Sequence, residues 1–205
     1  MRPYKTEVLT DRTSDKLADS DVLRRNLVIP EQGSSSDELE RCNQAASRIV
    51  ERYCDRVFSS QGYRSWVFNE DYQVPVVRLY LPQYPVSSVT EFESSPPKEV
   101  NFTPLTWEAD LDYRIDGSDG VLFILERIPA GMLRVSFTAG YSQVPADIAE
   151  VVLQLTRDIF LRRARESTIE QESIPDQASA SYFETTELLS MPQKRVLDTY
   201  RNLQV

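Results

Sequence analysis

Thr138-Ala139-Gly140-Tyr141-Ser142-Gln143-Val144-Pro145, with the segment that follows to Arg165, is the stretch from which the fold of this 205-residue chain is read. Before it, apolar residues alternate as in strands. After it they recur at Ile148, Val151, Val152, Leu155 and Ile159, one face of a helix. Pro145 suits a first helical turn, since its missing N–H would have no intrahelical partner, and Asp147 and Glu150 place negative charge at the favourable end of the helix dipole. Arg162, Arg163 and Arg165 complement the other end. A strand is joined by a short turn to the best-specified helix of the chain.

A second helix reads outward from this joint. Ser35 and Glu38 have capping-box spacing, and Leu39, Cys42, Ala46, Ile49, Val50 and Tyr53 follow at three- and four-residue steps. Between the two helices the texture is β. Tyr63 to Phe68, Val76 to Leu81, Val86 to Phe92, Leu111 to Ile115, Val121 to Glu126 and Met132 to Thr138 are short runs rich in β-branched and aromatic residues. Asp116-Gly117-Ser118-Asp119-Gly120 and Pro129-Ala130-Gly131 supply turn chemistry, so the last three runs read as consecutive hairpins.

The expected fold is α+β: a helical core of two long helices with short N- and C-terminal helices, interrupted by a β-rich insertion of short antiparallel strands. Residues 1–19 read as a mobile polar arm. Residues 20–165 form the main domain, with helices near 20–26, 35–56 and 145–165 and the insertion near 57–141. Residues 166–205 read as a linker and docking helix: Ser190 caps it, and Val196, Leu197, Tyr200 and Leu203 form its apolar face. That helix is at or below the roughly 12–15 residues at which an isolated helix is marginal in water, so its face needs a partner. A core contact between the long helices is expected through Ile49, Val50, Tyr53, Ile148, Val152 and Leu155.

Composition narrows the chemistry. The chain has no histidine, which excludes Ser-His-Asp and Cys-His nucleophiles and histidine metal sites. Its six glycines form no phosphate-cradling loop. Cys42 and Cys54, twelve residues apart on one expected helix, are separated by about 18 Å along its axis and cannot pair with each other. Asp110, Asp112, Asp116, Asp119 and Glu126 lack calcium-loop spacing and read as a solvated hairpin end. Trp66 and Trp107 read as sheet core rather than a sugar platform. No apolar run approaches a membrane span, and Met1 to Ala18 has no signal-peptide pattern, so a cytoplasmic origin is expected. A net charge of −9 argues against gripping DNA phosphates. No cofactor is expected.

Several stretches, in order, resemble the head-to-tail connector (adaptor or head-completion) proteins of tailed bacteriophages. They are Val22 to Ile29, Arg48-Ile49-Val50-Glu51-Arg52-Tyr53-Cys54-Asp55-Arg56-Val57-Phe58, Leu79 to Thr90, Tyr113 to Gly117, Leu133 to Tyr141, Val144 to Ile148, and Met191-Pro192 before the last helix. The resemblance implies a non-enzymatic virion protein, made in the host cytoplasm, that forms a ring of adjacent copies beneath the portal protein, twelvefold like the portal. It implies a downstream neck or tail protein as partner, genome DNA passing without specific binding, and no membrane. It also implies portal or subunit docking through the C-terminal segment, hence Pro192, Val196, Leu197, Tyr200 and Leu203. The competing readings are a carbohydrate-binding or metal-dependent enzyme module on the β insertion, or another neck component such as a stopper.

The carboxylates separate these readings. Calorimetric titration with calcium, magnesium and manganese is expected to give no stoichiometric heat. A tight one-to-one isotherm abolished by amide substitution of Asp112, Asp116, Asp119 or Glu126 would instead favour the enzyme module.

Overall fold

The computed structural model of the protein describes residues 3, 5–27, 34–69, 77–96, 99, 101–126, 131–169 and 188–201. The chain is α+β and divides into two compact units: a β unit of residues 1–13 and 59–142, and a helical unit of residues 14–58 and 143–203. Residues 59–142 of the β unit are thus an insertion in the helical one, and residues 1–13 precede it.

The helical unit contains α1 (Ser20–Leu27), α2 (Ser34–Cys54), α3 (Ala146–Ile169) and α4 (Met191–Asp198). On α2, Leu39, Cys42, Ala46, Val50 and Cys54 are fully buried, at steps of three and four residues. On α3, Ile148 and Val152 are fully buried, and Leu155 and Val151 nearly so. These two stripes give α2 and α3 their mutual packing, the most extensive helix contact of the unit. Thr156 lies in the same buried region without cost, because its hydroxyl donates back to the Val152 carbonyl at 2.7 Å. α2 begins at Ser34, so Ser35 stands inside the first turn rather than ahead of it. It ends with Asp55 in the left-handed region at φ 51° and the Arg56 N–H donating to the Glu51 carbonyl at 3.2 Å, the geometry of a Schellman cap.

Two expectations about the termini are corrected. Lys5–Val8, expected in the polar arm, form strand β1 of the β unit. Residues 14–19 are not an arm either: Leu17 and Ala18 are buried, the Leu17 N–H donates to Ser47 Oγ at 3.0 Å, and Asn43 Nδ2 donates to the Ala18 carbonyl at 2.9 Å. Isolated apolar residues in a polar run carry no periodicity, and their partners on α2 are distant in sequence. The C-terminal helix, expected to dock outside its own domain, packs on α2 and α3 of the helical unit. An eight-residue helix needs tertiary packing, and it finds that packing in its own chain. Residues 170–187 of the expected linker, and Leu203, lie outside the described residues.

The β unit holds two antiparallel sheets. The first has order β1-β2-β8-β4-β5, with β2 (Gln61–Asn69), β4 (Val86–Ser95), β5 (Thr103–Leu105) and β8 (Gly131–Ala139); the second has order β3-β7-β6, with β3 (Val77–Tyr80), β6 (Tyr113–Asp116) and β7 (Val121–Ile124). Both sheets contribute to one core, which includes Tyr63, Val67, Leu79, Leu122, Ile124, Leu133, Val135 and Phe137. Register explains the membership: Tyr63 faces Phe137 and Val67 faces Leu133, so a period of two puts them on one side. β6 and β7 make the expected hairpin, but β7 and β8 do not, because β8 is the centre of the other sheet between β2 and β4. The ends of the insertion meet in this unit. Ser59 bridges Tyr141, and Gly140, at φ 108°, approaches so closely that a Cβ there would lie 2.4 Å from the Ser59 carbonyl oxygen.

The packing of α2 on α3 predicts the effect of charge inside it. Val152→Asp places a carboxylate at a fully buried position and is expected to lower stability by at least ~3 kcal/mol, read as a fall in denaturation midpoint. An unchanged midpoint would remove this face from the core.

Candidate functional site

The acidic residues of the β unit build turns. The Asp112 carboxylate accepts the Glu108 N–H at 2.7 Å, and the Asp112 carbonyl accepts the N–H groups of Leu125 and Glu126 at 2.7 and 3.1 Å. Asp116 Oδ1 accepts the Ser118 hydroxyl at 2.8 Å within the β6–β7 turn. Asp110 lies 3.9 Å from Arg114 on the exposed surface. Among the described residues no group of three or more Cys, Asp or Glu could hold a metal ion. Trp66 is buried with the Lys5 ammonium 4.5 Å from its ring centre, and Trp107 packs at 4.8 Å on Phe92. Neither is laid out as an open platform.

Charged groups on the first sheet are paired across strands. Arg134 grips both oxygens of the buried Glu93 and lies 4.1 Å over the Phe102 ring. Arg64 donates to Ser136 Oγ at 3.1 Å and lies between Glu7 and Glu91. In the helical unit Glu40 is bound by Lys16, Arg24 and Ser20. Burial alone pushes the Glu40 carboxyl up, but the bonds from Lys16 and Ser20 and the charges of Lys16 and Arg24 outweigh it, leaving it below the usual range. The thiols are not nucleophiles: burial raises Cys42, and it pushes Cys54 up to about 12 against the opposing charge of Arg56.

The residues expected to carry assembly are distributed as follows. Val50, Ile148, Val152 and Leu155 are buried in the helical unit, and Ile49 and Tyr53 are half-buried. Of the C-terminal set, Leu197 is fully buried and its carbonyl faces Cys54 Sγ at 3.6 Å. The Tyr53 hydroxyl donates to Asp198 Oδ1 at 2.8 Å, and this bond, followed by burial, raises the phenol's pKa. Tyr200 donates to Asp147 Oδ2 at 2.8 Å and meets the Phe58 ring edge-on at 6.0 Å. Pro192 is exposed and Val196 half-buried. Leu197, expected to dock, is thus filled within its own unit, while Tyr200 is half-buried against Asp147 of α3 and the Phe58 ring. Sequence periodicity flagged the apolar face but not the tyrosine–carboxylate pairs, which join residues 145 and 53 positions apart.

Comparison with solved structures shows fold relatives, among them two chains from gene transfer agent particles. One is a chain from the neck of an empty gene transfer agent particle, computed with C6 symmetry: the TM-score is 0.59 at 20% identity, covering 98% of this chain and 97% of that one. The other is a chain from the virion of a native gene transfer agent particle, with a TM-score of 0.57 at 20% identity, covering 98% and 96%. At this identity the likeness is one of fold. No family model and no curated protein matches the chain.

The docked α4 yields a contrast between two of its residues. Leu197→Ala is expected to cost about 2–5 kcal/mol of stability in chemical denaturation, as for other filled core positions. Met191→Ala, at a residue 66% exposed, should stay within about 0.5 kcal/mol of the parent. Equal effects of the two would contradict the seating of α4.

Proposed function

We propose that the protein is a structural component of a phage-like virion neck, a head-to-tail connector whose copies form a ring beneath the portal. The observation that carries this reading is the fold likeness over nearly the whole of both chains to a chain from a gene transfer agent neck. The likeness spans 98% of this chain and 97% of that one, so it is not confined to the β unit. The ordered stretches quoted above, which resemble phage connector proteins, point the same way. A twelvefold ring also contains sixfold symmetry, so the proposal is compatible with the symmetry of that neck.

In this role the chain needs surfaces rather than reacting groups. The portal binds on one side, adjacent copies on the flanks and a neck or tail protein below. Docking on the portal falls to the exposed side of α4, where Met191 and Pro192 are accessible and Val196 is half-buried, since Leu197 is occupied within its own unit. A net charge of −9, repeated around a channel, repels phosphate and lets the genome slide instead of adhering.

Electron microscopy of the full chain mixed with portal rings tests the proposal. The expected result is a collar of added density on one face of the portal, with no binding of duplex DNA at low salt. Portal rings left bare at saturating protein would overturn it.

A further inference from the structure

α2 presents a face opposite in sign to the chain as a whole. Arg41, Ala45, Arg48 and Arg52 follow at steps of four, three and four residues, so they share one side of the helix over about 16 Å. The three arginines are exposed, and the one carboxylate between Arg41 and Tyr53, Glu51, is buried. Arg41 stands 3.8 Å from Glu38, whereas Arg48 and Arg52 are ion-paired with no carboxylate among the described residues. Asp37 and Asp55 mark the two ends of the stripe. Glu38 on its flank is held by Arg163 of α3, and Asp198 of α4 accepts the Tyr53 hydroxyl with Arg201 5.8 Å over the same ring. With these neighbours included, five guanidiniums stand against four carboxylates, on a chain of net charge −9.

The β unit carries the complement. Glu108, Asp110, Asp112, Asp116, Asp119 and Glu126 lie on or beside the β6–β7 hairpin, and all but Asp112 are exposed. Against these six carboxylates stand Arg114 and, on the neighbouring β3, Arg78 over the Phe123 ring. The donors that Asp112 and Asp116 accept within the turns orient the carboxylates without discharging them. The acids fall into two groups. Asp112 bonds Leu125 and Glu126 at one end of the hairpin, and Asp116 and Asp119 occupy the turn at the other, a four-residue strand or about 13 Å away. That separation is close to the length of the arginine stripe, so one hairpin spans it.

We propose that the arginine stripe of α2 in one copy receives the acidic β6–β7 hairpin of a second copy. This rests on the assembly reading above and names a contact that repeats between subunits. Stripe and hairpin are different surfaces of one chain, so the contact is heterologous, the kind that runs head to tail and closes into a ring when the rotation allows. Exposed ion pairs are individually weak and screened by salt. Such a contact selects the neighbour and sets its register more than it supplies affinity.

Sedimentation velocity on the full chain at low and high salt tests the contact. Self-association is expected at low salt and should weaken on the order of tenfold between roughly 50 and 500 mM sodium chloride. Arg48→Glu/Arg52→Glu and Glu108→Lys/Glu126→Lys each set like charges against one another and should weaken low-salt association on the order of tenfold. All four positions are exposed, so the denaturation midpoints should stay at the parent value. Combined in one chain, the four substitutions restore opposite charges and should return association to within about threefold of the parent. General repulsion between acidic copies predicts otherwise, since the lysine variant is less acidic and would then associate more tightly than the parent. Parent-like association of the Arg48→Glu/Arg52→Glu protein, tighter association of the lysine variant, or no recovery in the combined variant would each overturn the contact while leaving the neck reading to the portal experiment. A parent chain that stays monomeric at low salt up to its solubility limit would overturn it too.

Discussion

The packing of α2 against α3 is the constraint on which the rest of the structure depends. Their buried stripes, from Leu39 to Cys54 and from Ile148 to Leu155, come from segments nearly a hundred residues apart. Loop-closure entropy rises only slowly with length, so a long insertion between them is tolerated if its ends come together. The β unit meets that condition internally. The Ser59–Tyr141 bridge pins its two ends, and only glycine at position 140 lets the backbones approach so closely. α4 then packs on the same helices, with Asp198 accepting from Tyr53 near the end of α2 and Tyr200, just beyond α4, donating to Asp147 near the start of α3.

Several charged groups of this acidic chain are partnered across elements. Buried Glu93 is neutralised by a two-pronged arginine, and Glu40 joins α2 to Lys16 and Arg24. The partnered Glu40 stabilises the fold above its unfolded pKa, and that contribution is lost as pH falls through the lowered folded value. Asp112 and Asp116 instead accept a backbone N–H and a hydroxyl within turns. Such roles leave them neither the convergence nor the desolvation expected of an acid–base pair.

The functional reading consequently lies in surfaces. The likeness to a gene transfer agent neck chain, at 20% identity, is one of architecture.

The amino-acid sequence by itself determined the two long helices, the β texture between them and the turn at Gly117–Gly120, because each is a local pattern of three or four residues or of two. It determined as well that no histidine chemistry operates. The pairing of β8 with β2 and β4 rather than with β7, the recruitment of Lys5–Val8 as an edge strand, and the return of α4 onto its own helices were decided only in three dimensions. Each depends on which partner, far away in sequence, offers an open sheet edge or an unfilled apolar stripe. Leu197 illustrates the division: its place on an apolar face is legible from spacing, but whether that face meets its own chain or another is set by the hollow that α2 and α3 leave when they pack.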